Sequence, residues 1–195
     1  MKFHVLPSHS FTTNQWSGGT TTELFIYPKE SSYQERDFLF RLSTATVEVE
    51  ESTFTSLPGV YRKLMILDGK ITINHQDHYK KSLNTFDTDA FEGSWKTTSV
   101  GHCKDFNLML KENTKGDILH ISVPGGETTL QALKCISNMV FVYAAKGICH
   151  INVQDKTIDL NVGDLVIMEE LSSENLIFSS ETGSDLVLVE VHLDN

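Results

Sequence analysis

The sequence has no run of about 18 apolar residues, the length a membrane-crossing helix needs. Its opening, MKFHVLPSHSF, carries too short an apolar stretch for a signal peptide. A cytoplasmic protein without a membrane partner is therefore expected. Cysteine is scarce: Cys103, Cys135 and Cys149 are odd in number and show no C-x-x-C spacing, which argues against a disulfide framework and a zinc knuckle. Free, buried thiols are the expectation. Basic charge is also short, with 16 Lys and Arg against 26 Asp and Glu and a net charge of -10. A nucleic-acid groove needs a basic patch, so nucleic acid is not an expected partner. Arg36, Arg41 and Arg62 are the only arginines. Lysine suits a solvated face, whereas the guanidinium fork suits carboxylate recognition, which makes these few arginines informative.

Several chemical signatures are missing as well. There is no His-x-His pair of the kind metal-binding β-barrels use. His75-x-x-His78 lies in the polar turn NHQDH and is expected to be solvated, His102 stands beside Cys103, and His150 has no partner at ligand spacing. No metal and no cofactor are expected. Ser43 lacks a G-x-S-x-G elbow, and Gly18-Gly19 is not followed by the Gly-Lys-Ser/Thr of a phosphate loop.

What is present is strand pattern. In FLFRLSTATVEVE (38–50), Phe38, Phe40 and Leu42 alternate with Leu39, Arg41 and Ser43, so Arg41 and Ser43 share a face. A turn at Leu57-Pro58-Gly59 leads to Arg62 and the apolar run Leu64–Leu67. Asp68-Gly69 follows and reads as a hairpin turn. Upstream, Trp16 and Gly18-Gly19 precede a strand with Thr21, Glu23 and Phe25 on one face. In KDFNLML (104–110), Asp105, Asn107 and Met109 share a face. Thr128–Ile136 fits a short helix or another strand.

The second half repeats the plan of the first. Gly69 in LDGKITIN and Gly147 in AKGICHIN are 147 − 69 = 78 apart, and Leu83-Asn84-x-x-Asp87 matches Leu160-Asn161-x-x-Asp164 at 160 − 83 = 77. Two landmarks whose offsets agree to within one residue predict a duplicated β-unit. Short strands with frequent turns predict an all-β protein, a double jelly roll with very little helix. Polar ENTKGD (112–117) marks the join, giving an N-terminal barrel over 1–111 and a C-terminal one over 112–195.

The segments WSGGTTTEL (16–24), FRLSTATVE (40–48), FTSLPGVYR (54–62), LDG (67–69), FEG (91–93) and DFNLM (105–109) resemble the HutD/Ves family, in order and over roughly the first 110 residues. The resemblance implies an RmlC-like bicupin and a small-molecule-binding role associated with histidine utilisation, whose intermediates are small carboxylates. It attaches no catalytic activity. The glycine turn here is shorter than the family's W-x-N-G-G-G-x-T form, and Tyr61 precedes Arg62 where an aspartate is frequent.

Glu23, Arg41, Ser43, Arg62, Asp105 and Asn107 form the candidate site, with Trp16 as an apolar wall. They fit a structural network in which Glu23 and Asp105 neutralise the arginines. They also fit a barrel mouth where one arginine binds a ligand carboxylate and Asn107 orients an amide or formyl group. Three functions stay open: a metal-free binder of a small carboxylate acting as a sensor or flux regulator, an enzyme using Glu23 or Asp105 as general base, and a protein-association domain. Exposed sheet edges leave a homodimer open.

Overall fold

The computed structural model describes residues 2–133, 139–153, 156–171 and 175–194. Among these, alternating side chains resolve into eighteen strands and one 3-10 turn (Ser8–Ser10), with no α-helix. In chain order the strands are β1 (Lys2–Leu6), β2 (Thr12–Trp16), β3 (Gly19–Tyr27), β4 (Phe40–Val47), β5 (Glu51–Thr53), β6 (Tyr61–His75), β7 (Tyr79–Asn84), β8 (Thr88–Glu92), β9 (Thr97–Val100) and β10 (Cys103–Leu110). They continue with β11 (Thr114–Val123), β12 (Glu127–Ala132), β13 (Met139–Lys146), β14 (Cys149–Val153), β15 (Lys156–Leu160), β16 (Leu165–Glu169), β17 (Asn175–Ser180) and β18 (Ser184–Leu193). Thr128–Ile136 is thus a strand as far as Ala132, and residues 134–136, Cys135 included, lie outside the described residues.

Two compact units divide the chain, Thr12–Thr114 and Met1–Phe11 with Lys115–Asn195. In the first, the strand order is β2-β3-β4-β10-β6-β9-β5, with β7 and β8 also pairing with β6. In the second, a sheet β1-β16-β13-β18-β11 and a sheet β12-β17-β14-β15 share one apolar core. The first strand, β1, runs antiparallel to β16, a pairing that the division at 111/112 does not anticipate.

The internal repeat is reproduced bond for bond. Asp87 accepts hydrogen bonds from the Asn84 backbone N–H (2.8 Å) and Nδ2 (3.1 Å), and Asp164 does the same for Asn161 at 3.0 and 3.2 Å. Ile66 then exchanges backbone hydrogen bonds with Phe86 and Asp87, as Ala144 does with Gly163 and Asp164. Leu83 and Leu160, which open the two turns, are both fully buried. Burial of the Leu anchors the turn, and the Asx side chain caps it. Asp164 also accepts a hydrogen bond from the Ser8 backbone N–H (2.8 Å) and is buried, whereas Asp87 is exposed. Asp164→Ala is expected to destabilise by about 1–2 kcal/mol, since it removes the acceptor of three part-buried hydrogen bonds. Asp87→Ala should shift the melting temperature less, a ranking that thermal denaturation of the two variants checks.

Asp68-Gly69 is not a hairpin turn. Residues Tyr61–Met65 of β6 pair with β8 and the ladder with β10 extends to Gly69, after which the strand runs on to pair with β7 and β9. Gly69 takes φ +83°, and Gly147 takes φ +73° just past the end of β13. A Cβ at either position would run into a backbone carbonyl, His102 or Gly183. The left-handed residue that a hairpin would have used serves here to bend a strand from one sheet into the next.

Candidate functional site

Register places the polar set on one face. Ser43 lies opposite Glu23 on β3 and Asn107 on β10, while Arg41 lies opposite Met109, which in turn lies opposite Arg62 on β6. Asp105 lies opposite Ala45 and Ile66. Residues directly across a ladder share a face, so this face is the one carrying Leu64 and Ile66 of the first unit's core. A bulge between Glu23 and Phe25 turns Phe25 to the other face and brings Ile26 opposite Arg41. The expected grouping of Thr21, Glu23 and Phe25 therefore fails at Phe25.

The two arginines are two strands apart in one row, about 10 Å by strand spacing, and they are held differently. Arg41 donates from Nε to Glu23 Oε2 (2.7 Å) and from Nη1 to Ser43 Oγ (3.0 Å), and its guanidinium lies 4.7 Å from the Tyr33 ring centroid. Arg62 lies over two aromatic rings that meet edge to face, Phe54 at 4.9 Å and Phe91 at 5.3 Å. It is buried, and its Nε–H has no partner among the described residues. Burial, only partly offset by the charge of Asp105, brings the Arg62 guanidinium down to about 10. Nearby, Asp105 Oδ1 and Asn107 Oδ1 are likewise buried without a partner among the described residues. Desolvation raises the Asp105 carboxyl to about 7, although Arg62 pulls the other way.

The fold does not require these polar groups. Since Ile66 corresponds to Ala144, Asp105 opposite the one corresponds to Leu186 opposite the other. Two residues along, Asn107 corresponds to Leu188, and four residues back Arg62 corresponds to Val140. All three counterparts are fully buried in the apolar core of the second unit. At these three positions one unit carries hydrocarbon and the other orphaned polar atoms, which are costly unless something satisfies them; the buried Glu190, opposite Val140, is the second unit's own polar group on that face.

Trp16 stands apart. Its indole lies over Gly18 at the β2–β3 turn, and it sits opposite Gly19, four residues along β3 from Glu23, or about 13 Å at strand rise. His75 is not solvated: it is 1% exposed, with Nδ1 2.8 Å from Thr97 Oγ1 and Nε2 2.9 Å from Asp89 Oδ2. Asp89 Oδ1 also accepts from the Tyr79 hydroxyl (3.0 Å). The His75 ring centroid lies 4.5 Å from that of Phe91, so this buried cluster backs the ring beneath Arg62. His78 stacks on Trp95, His102 faces Glu50 (3.5 Å) and His150 faces Asp159 (2.7 Å). Burial pushes the Cys103 thiol up to about 12, which leaves it a poor nucleophile.

The HutD family model matches residues 8–187. The chain belongs to the HutD family. Among solved structures it resembles the conserved protein of unknown function PA5104 from Pseudomonas aeruginosa PAO1, at 19% identity and a TM-score of 0.83, over 98% of this chain and 100% of that one. HutD from Pseudomonas fluorescens SBW25, in a formate condition, aligns at 17% identity and TM-score 0.74 over the whole of both chains. A bacterial pirin, YhhW from Escherichia coli in complex with nickel(II), aligns at 7% identity and TM-score 0.70 over 97% of this chain and 98% of that one. No curated protein matches. The fold is accordingly all-β and cupin-like, with a jelly-roll barrel in each unit. The polar face of this HutD-family barrel carries two buried guanidiniums, and among the described residues no group of three or more His, Cys, Asp or Glu stands together to hold an ion. No helix among the described residues is long and apolar enough to cross a membrane.

Proposed function

We propose that the first barrel binds a small carboxylate metabolite without metal, in a regulatory or flux-sensing role linked to histidine utilisation. The observation behind this reading is Arg62, a buried cation on an aromatic bed whose Nε–H has no acceptor, and to which no carboxylate is bonded, among the described residues. An anionic oxygen would supply the missing acceptor. Asn107 Oδ1 beside it accepts an N–H or O–H from the same ligand, and Arg41, tied to Glu23 and Ser43, walls the site. The link to histidine utilisation rests on family membership.

A second reading, general-base catalysis, has Asp105 behind it, because an orphaned carboxyl near 7 can exchange a proton at neutral pH. Glu23 is less suited to that role, since Arg41 holds it. Thermal-shift and NMR titration with formate and a panel of larger carboxylates tests the binding reading. Saturable shifts with unchanged ligand support binding alone, product formation favours the second reading, and no shift with any carboxylate sinks both.

A further inference from the structure

We propose that carboxylate binding at Arg62 is coupled to proton uptake by Asp105, so that the barrel takes in an anion together with one proton. This rests on the binding reading above and concerns how that site is regulated.

The groups facing this interior from each strand narrow the choice. Arg41 of β4 is committed to Glu23 of β3, with Tyr33 over its guanidinium. His75 of β6 is committed to Asp89 of β8 and Thr97 of β9. On β10 itself Cys103 is a buried thiol that keeps its proton. What remains is one cation, Arg62, and one carboxyl, Asp105, each with an orphaned polar atom. No direct ion pair joins them among the described residues, yet each feels the other's charge.

One buried cation balances one anion. A ligand carboxylate arriving at Arg62 makes two anions if Asp105 is ionised, and an excess buried charge costs several kcal/mol. Asp105 relieves this by taking a proton from solvent. The interior then holds Arg62 as the cation, the ligand as the anion and Asp105 as a neutral acid. The protonated Asp105 also gains an O–H, which can donate to a ligand oxygen. Asp105 already sits near 7 in the free protein, so the equilibrium lies within the physiological range. Below that pH the proton is already in place and binding requires no uptake. Above it the affinity falls with pH.

Formate, the smallest carboxylate and ionised throughout, is the probe. NMR titration between about pH 6 and about pH 8.5 should show Kd level at the acid end and rising about tenfold per pH unit above about pH 7, the slope of a single linked proton. Asp105→Asn should bind with a Kd that no longer depends on pH. Should that variant fold poorly, the Asp105 carboxyl carbon-13 resonance of the unaltered protein gives a second reading, and it should titrate at higher pH with formate than without. Saturable binding with a pH-independent Kd overturns the coupling and leaves the binding reading standing. No binding of formate or the larger carboxylates at any pH overturns both.

Discussion

Arg62→Gln should abolish carboxylate binding, weakening it at least about a hundredfold, while leaving the melting temperature close to that of the unaltered protein. A lost hydrogen bond to a charged group costs about 1.5–3 kcal/mol, and losing a full ionic contact costs more. Among the described residues Arg62 has no hydrogen-bond acceptor for its Nε–H and no ion-pair partner, so its removal orphans no carboxylate there. It does give up stacking on Phe54 and Phe91, offset by the relief of a desolvated cation. At about pH 6 Asp105 holds its proton, and the net change should stay within about 1 kcal/mol. Arg41→Gln should behave the other way round. It strands Glu23 and Ser43 and should cost about 1–3 kcal/mol, at the lower part of the range because the Glu23 side chain is 34% exposed. Ligand affinity should fall only modestly. Chemical denaturation and formate titration of both variants check the contrast. Equal unfolding by both with binding retained would make Arg62 a structural residue.

The contrast between the arginines shows where sequence reading stops. Period-two spacing puts Arg41 with Ser43 and Asp105 with Asn107, and the register places each pair on one face. Nothing in the spacing says which arginine takes Glu23. That depends on β10 lying between β4 and β6, and on a bulge that carries Glu23 opposite Ser43 while turning Phe25 away. Tyr33, Phe54 and Phe91, which clasp the two guanidiniums, come from segments whose aromatic residues read equally well as ordinary core. His75 eludes the sequence for a related reason. Its partners Asp89 and Thr97 lie 14 and 22 residues away, so the hairpin NHQDH shows only polar neighbours.

The fold is more legible because its signals are local. Leu-Asn-x-x-Asp states a buried anchor and a capped turn within five residues, and two copies at one offset disclose the duplication. Asp68-Gly69 misleads because a left-handed glycine satisfies both a hairpin and a strand bending between sheets. Length decides between them: β6 runs Tyr61–His75, and the residues beyond Gly69 keep alternating. The duplication also carries a functional lesson that neither half shows alone. Leu186, Leu188 and Val140 demonstrate that this topology packs well without Asp105, Asn107 and Arg62. Orphaned polar atoms in one barrel, at positions where its twin carries Val140, Leu186 and Leu188, are what the proposed ligand site predicts.

Asp105 should therefore lower stability at neutral and alkaline pH, the usual signature of a group kept for binding. In the folded chain its carboxyl is raised from an ordinary 3.8 to about 7, chiefly by desolvation. The native state then holds a proton that the unfolded chain has released, so stability falls as pH rises from about 4 to about 7 and levels off above. Each tenfold change in proton affinity is worth roughly 1.4 kcal/mol, so the loss across that range is about 4 kcal/mol. Asparagine mimics the protonated acid and cannot ionise. Asp105→Asn should match the unaltered protein near pH 4 and exceed it by about 4 kcal/mol near pH 8. The difference between the two chains is the quantity to measure. Asp87, Glu170 and Asp194 have carboxyls lowered by Asn84, Lys2 and Lys115, and these add an opposite trend common to both. Parallel urea denaturation curves across that range would give it directly. A pH-independent difference would mean that Asp105 stays ionised throughout, and the carboxyl would then be paired with a cation in solution, Arg62 being the one whose charge it already feels.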